Sequence, residues 1–184
     1  SYFEYLKIPY THSGVISSFN SMNKIISKEI FSQNKILTPK FFSINKESFF
    51  ISKSPIKAIG TNVEPIKFTA YDELWPGLIT ISSDTNSIFK NVIFEDLCGI
   101  GKTNNPFGIF SDGWNLTGGI NFYNSNVNFI NCSFNNCLSE DALNIISSSF
   151  TLVDCNFSAC FSDAFDGDFV NGEIIGSRFK NIKG

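Results

Sequence analysis

Asn124-Ser-Asn-Val-Asn-Phe-Ile-Asn-Cys-Ser-Phe-Asn-Asn-Cys-Leu-Ser-Glu-Asp-Ala-Leu-Asn-Ile145 is followed by a second version of itself, Ser147-Ser-Ser-Phe-Thr-Leu-Val-Asp-Cys-Asn-Phe-Ser-Ala-Cys-Phe-Ser-Asp-Ala-Phe-Asp-Gly167. Val127, Phe129, Cys132, Phe134, Cys137 and Asp141 recur as Phe150, Leu152, Cys155, Phe157, Cys160 and Asp163. A fainter third copy puts Gly172, Ile174, Ser177, Phe179 and Ile182 in the same places. The offsets are 23 residues, then 22. A unit this short cannot bury its own apolar face, so the copies must stack.

Inside each copy the apolar residues alternate, as in Val127/Phe129, Cys132/Phe134 and Phe150/Leu152. That is strand periodicity, in short runs broken by Asn, Ser, Asp and Gly. No run has the length or spacing of a crossover helix, which argues against a doubly wound sheet. Three short strands per repeat, turning at Asn131, Asn135-Asn136 and Leu138-Ser139, make one coil of an all-β parallel solenoid. Coils stack about 4.8 Å apart, so equivalent residues form ladders. Phe94, Phe134, Phe157 and Phe179 make one; Val92, Cys132, Cys155 and Ser177 make another.

The 184 residues suit one domain with a substantial core. With 21 Phe, flat rings that stack well supply much of the apolar volume. Charged residues make up 17% and the net charge is −3, without the clustered basic face of a nucleic-acid binder. Arg178 and His12 are the only residues of their kinds, so any chemistry falls to carboxylates, Lys, Tyr or a metal. Five cysteines are an odd number, and the pairs Cys132/Cys155 and Cys137/Cys160 have parallel side-chain vectors that suit a disulfide poorly. They are expected to be buried thiols, which leaves the redox compartment open. No apolar run approaches the length of a membrane span.

Residues 1–24 are polar and turn-rich, and are expected to be a lead-in segment and N-terminal cap. The β-helix is expected over residues 25–184, beginning with short strands at Ile25-Ile26, Ile36-Leu37, Phe41–Ile44 and Phe49–Ile51. Ile59-Gly-Thr-Asn-Val-Glu-Pro-Ile-Lys-Phe-Thr69, Trp75-Pro-Gly-Leu-Ile-Thr-Ile-Ser82 and Ser87-Ile-Phe-Lys-Asn-Val-Ile-Phe-Glu-Asp-Leu97 continue it. These stretches resemble the right-handed parallel β-helix repeat proteins of bacteria, the pectate-lyase-like superfold. The resemblance covers residues from about 50 to 184 and implies a right-handed parallel β-helix, here of about six coils by length over period. It implies no single function, since the fold hosts lyases, hydrolases, epimerases, tailspikes and adhesins. The Asn-Thr-Asp, Asp-Asp, Gly-His-Gly and Arg-x-Lys set of its polygalacturonases is absent.

Counting back one period from Phe129 and Phe134 reaches Phe89 and Phe94 only if about 17 residues are set aside. The excess is a long inserted loop, residues 99–116, and such loops commonly carry function. Phe107, Phe110, Asp112 and Trp114 are its candidate binding residues. Gly99-Ile-Gly-Lys-Thr103 lacks the spacing and the following helix of a phosphate loop.

The acidic ladder is the second candidate. In register, Glu140-Asp141 lies one coil from Ser162-Asp163, and Asn144 one coil from Asp166, with Asp168 two residues on. Like charges that close raise a pKa unless they diverge into water or share a cation. Asp141, Asp163, Asp166 and Asp168 offer the hard oxygens that Ca²⁺ takes. Asp141, Asp163 and Asp166 are the candidates for catalysis, which would need two carboxylates spaced across a sugar. The third reading is a set of solvated turn residues. Asn86, Asn91, Asn131, Asn136, Asn144 and Asn181 also fall near expected turns, where they could form ladders between coils.

The expected function is an extracellular or cell-surface β-helix scaffold, structural or glycan-binding and assembling end to end. The alternative is a polysaccharide lyase or glycoside hydrolase that uses the acidic ladder. A polysaccharide or another protein subunit is the expected partner, with Ca²⁺ the one candidate cofactor, no nucleic acid and no membrane span. The opening Ser-Tyr-Phe-Glu and the stop at Gly184 are read as the ends of a piece of a longer β-helix.

Overall fold

The structure is a computed structural model that describes residues 27, 30, 31, 33–35, 49–70, 74–99, 109–111 and 114–184. The chain divides into two compact units, Ser1–Ser43 and Ile44–Gly184. In the first, Ser27, Ile30, Phe31 and Gln33 are helical. The Asn34 amide donates to the Ile30 carbonyl at 3.0 Å, one helical turn back. The sequence reading had no helix there. Its strands at Ile25-Ile26 and Ile36-Leu37, and most of Phe41–Ile44, lie outside the described residues.

The second unit is built of strands. In chain order they are β1 (Phe50–Ser52), β2 (Lys57–Ile59), β3 (Ile66–Phe68), β4 (Leu78–Ile81), β5 (Ser87–Lys90), β6 (Val92–Leu97), β7 (Ile109–Ser111), β8 (Trp114–Leu116) and β9 (Ile120–Tyr123). There follow β10 (Val127–Ile130), β11 (Ser133–Cys137), β12 (Asp141–Ile146), β13 (Ser149–Val153), β14 (Asn156–Cys160), β15 (Asp163–Asp168), β16 (Asn171–Ile175) and β17 (Arg178–Ile182). Sheet I runs β1-β4-β9-β12-β15, sheet II runs β2-β5-β10-β13-β16 and sheet III runs β3-β6-β11-β14-β17. Every pairing in these three sheets is parallel. Each coil contributes one strand to each sheet, so the unit is a three-faced parallel β-helix. Five such coils lie among the described residues.

The corners explain the composition. Residues 82, 124, 147 and 169, residues 91, 131, 154 and 176, and residues 96, 136, 159 and 181 all have positive φ, at the same three points of successive coils. Ten of these twelve are Asn, Asp, Ser or Gly, the types whose short or absent side chains fit a left-handed residue best or bond locally to it. Each is followed by a side chain that turns inward. After the second corner come Val92, Cys132, Cys155 and Ser177; after the third come Leu97, Cys137, Cys160 and Ile182. The expected turns at Asn131 and Asn136 are such corners, and the corner at Asn124 and Ser147 is additional. Amides ladder between coils, as Asn131 Nδ2 donates to Asn91 Oδ1 at 2.7 Å and Asn136 Nδ2 to Asp96 Oδ1 at 2.8 Å. Asn144 is a correction: it lies inside β12, away from any turn.

Inside the three sheets the expected ladders form. Phe68, Phe94, Phe134, Phe157 and Phe179 stack in sequence with centroids 5.2, 5.0, 4.4 and 4.9 Å apart. Phe89 stacks on Phe129 at 5.0 Å, and Phe122 meets both edge-on. Parallel strands fix ring spacing near the optimum for stacking, so each ring gains dispersion as well as burial. Cys132, Cys137, Cys155 and Cys160 are buried free thiols in this core, as expected. Hydrogen bonding to the Cys155 thiol and burial hold the Cys132 proton on, and the Cys160 thiol and burial do the same for Cys137.

Between the second and third coils stands the insertion. Its described part is an antiparallel hairpin of β7 and β8, with Ser111 paired to Trp114 and Ile109 to Leu116. Where the chain rejoins the helix, Gly77 (φ +121°) passes so close to the Gly119 carbonyl that no Cβ would fit. On the outer face of sheet I, Ile79, Leu116, Tyr123 and Ile146 are buried as a second apolar cluster, with Phe49 and Ile81 against it. The last coil is exposed, Ile174, Phe179 and Ile175 among its apolar residues. No described helix is long and apolar enough to cross a membrane.

Candidate functional site

The acidic ladder is in register. On sheet I, β12 pairs with β15 so that Asp141 faces Asp163, Asn144 faces Asp166 and Ile146 faces Asp168. Strict alternation would send Asp141 inward with Leu143 and Ile145. Instead Ala142 packs into the core and Asp141 lines an outer cleft with Asn144. The pleat is interrupted at Ala142, where the register skips a pair. That interruption brings the acids of two coils together.

The cleft has a volume of about 350 Å³ and is lined by Thr117, Glu140, Asp141, Asn144, Ile146, Asp163, Asp166 and Asp168. Five of these eight are carboxylates and none is basic. Thr117 Oγ1 donates to Glu140 Oε2 at 2.7 Å. Asn144 Nδ2 donates to Asp141 Oδ2 and to Asp166 Oδ2, both at 3.2 Å, and so ties the two rungs together. Asn144 Oδ1 is buried and has no hydrogen-bond partner. Below it in the ladder, Asn121 is satisfied: it accepts from the Gly118 amide at 3.0 Å and donates to the Gly118 carbonyl at 2.7 Å.

Burial distinguishes the acids. Asp141 is only 4% exposed, while Glu140 and Asp163 are open to solvent. Desolvation pushes the Asp141 carboxyl up to about 6, against the lowering effect of the Asn144 hydrogen bond; Asp166, Glu140 and Asp163 push it further the same way. Asp166 is also raised, first by burial and then by Asp168 beside it. A titratable group shifted by burial and by named charge partners, inside a cleft, makes the cleft the candidate functional site.

All four residues expected to bind a cation, Asp141, Asp163, Asp166 and Asp168, therefore line one cleft, and with them the three catalytic candidates. Among the described residues, however, no group of three or more acidic, His or Cys side chains is placed to hold a metal ion. Phe107 and Asp112 lie outside the described residues, and Phe110 and Trp114 are placed only as members of the β7–β8 hairpin. Thr117 was missed, although it stands one period of 23 residues before Glu140. Counting back one period from Glu140 finds it.

Comparison of the chain with protein-family models, curated proteins and solved structures found no match.

Proposed function

We propose that this chain is a β-helix scaffold that binds a glycan, with the acidic cleft on sheet I as its contact site. One observation carries the reading: a rigid sheet presents five carboxylates, a buried amide and a threonine hydroxyl around one polar cleft. Carboxylates and amides fixed on strands are the groups that bind sugar hydroxyls with defined orientation. The test is binding of the intact chain to neutral, acidic and amino-substituted oligosaccharides. The reading expects binding to at least one of them that weakens in Asp163→Asn. Binding to none, or binding indifferent to this change, would remove it.

A second reading is favoured by Asp141 itself. A carboxyl held near 6 beside other acids can carry a proton at working pH, as the general acid of a glycosidase must. Under this reading the cleft also cleaves its glycan. Turnover abolished in Asp141→Asn, with binding retained, would support it, and the absence of any hydrolysis product would dismiss it.

A further inference from the structure

The outer face of sheet II takes no part in the cleft. Register along β2-β5-β10-β13-β16 sets its outward side chains in two rows, one residue of each row per coil. One row is Ile59, Lys90, Ile130, Val153 and Ile175. Four of these five are β-branched aliphatics, and the two at the ends, Ile59 and Ile175, are 60% and 49% exposed. Single exposed aliphatics are ordinary on a surface, but a contiguous row of them marks a contact. The neighbouring row starts at Lys57 on β2 and ends at Glu173 on β16, with Asn128 at its midpoint on β10. Both charges are exposed. Among the described residues the ion pair present joins Lys67 to Glu95 on sheet III, so neither Lys57 nor Glu173 is paired there. A cation at one end of a face and an anion at the other is what self-complementarity requires.

We infer that a second copy of this chain docks on this face, about a two-fold axis that runs parallel to the strands over β10. Such an axis keeps the strand direction and reverses the order of coils, so the first coil of one copy meets the fifth of the other. Lys57 then faces Glu173 of the second copy, and Glu173 faces its Lys57, so one ion pair forms twice. Ile59 meets Ile175, Lys90 lands against Val153 beside Asp154, and Asn128 and Ile130 meet their own equivalents on the axis. The other two-fold in the plane, along the stack, would set Lys57 on Ile59 and Glu173 on Ile175. That would desolvate the charges against aliphatics with nothing in return. Five strands of three to five residues make a small face, a few hundred Å² per copy. A stable complex takes roughly 800 Å² per partner, so this dimer is a weak one, with a dissociation constant on the order of 100 µM. Sheet I and its cleft are a separate face, and the inference is independent of the glycan reading.

The experiment is sedimentation equilibrium of the intact chain from about 10 µM to about 1 mM, with the charge reversals Lys57→Glu and Glu173→Lys alone and mixed. The unmodified chain is expected to pass from monomer to dimer over this range. Each reversal alone sets like charges opposite each other twice, and should weaken the dimer about tenfold or more. An equimolar mixture of the two variants restores opposite charges at both contacts. It should dimerise about as well as the unmodified chain, and less so as salt is added. A folding defect in either variant could not produce that rescue. Ile130→Asp, which sets two like charges together on the axis, should leave the chain monomeric, whereas Lys180→Glu, an exposed cation on sheet III, should change nothing. A chain still monomeric at about 1 mM would overturn the inference, and so would a dimer indifferent to both reversals. Variants that dissociate alone and fail to rescue each other would overturn the two-fold arrangement. Assemblies that grow past the dimer would show an open-ended contact in place of a closed one, and would overturn it too.

Discussion

Phe134 and Phe157 lie with ring centroids 4.4 Å apart and planes 1° from parallel, on the paired strands β11 and β14. Both are fully buried. The same spacing that stacks these rings sets Asp163 over Asp141 on sheet I. A parallel solenoid cannot choose one without the other, because every residue of a rung is placed by the backbone hydrogen bonds to the next.

Phe157 is therefore a point where the stack can be cut. It meets Phe134 on one side and Phe179 at 4.9 Å on the other. Phe157→Ala is expected to cost about 3–5 kcal/mol, transfer and cavity terms together. Phe179→Ala, on the exposed last coil, should cost less than half of that. Urea unfolding of both variants checks the order, and equal losses would show that the ladder is not continuous.

Ala159 sits at φ +54°, where the equivalent residues of other coils are Asp96, Asn136 and Asn181. It is exposed, so a larger side chain has room. Ala159→Asn is expected to stabilise the fold by about 1 kcal/mol, because Asn tolerates the left-handed region that costs Ala about that much. Chemical denaturation measures it, and a loss of stability would contradict the corner assignment.

The Asp141 carboxyl, raised to about 6 in the folded chain, sits near its ordinary value of about 4 once unfolded. Between those values the folded state binds more protons, so stability falls as pH rises from about 4 to 6 and stays lower above. The loss is on the order of 2 kcal/mol. Asp141→Asn should flatten this part of the profile and be relatively more stable near pH 7 than at pH 4. Unfolding free energies of the two proteins at both pH values decide it.

The thiols of Cys132, Cys137, Cys155 and Cys160 are buried and hydrogen-bonded in pairs across adjacent coils. The thiolate is the reactive form; at Cys132 and Cys137 the partner thiol and burial disfavour it, and burial keeps reagents from all four. These four should react with a thiol reagent only as fast as the helix opens, and at once in denaturant. Mass spectrometry of native protein after brief labelling would show any exception.

Much of this was legible because one number, the period, carries so much. It gives the Phe and Cys ladders and the pairing of Asp141 with Asp163 directly, since a parallel register has no freedom beyond it. What the period does not carry is which way a side chain leaves the strand. The interruption at Ala142 buries Asp141 and sets Asn144 in a cleft wall, where composition suggested a turn. The corner at Ser147 was hidden because serine is a weaker mark of a left-handed residue than asparagine. Thr117 stands one period before Glu140, just after the insertion, and its hydroxyl is not an acid that the ladder of carboxylates would flag. The helical residues around Ile30 carry no repeat to be counted.

The central claim is that stacking forces the acids of two coils into one cleft and buries one of them, where plain turns would leave each in water. Carbon-detected NMR of the side-chain carboxyls, titrated with pH, tests it residue by residue. The account predicts that Asp141 titrates with a midpoint near 6 and that changing Asp166 to Asn lowers it. A midpoint for Asp141 near 4, the value of a solvated aspartate, indifferent to Asp166→Asn, would contradict it.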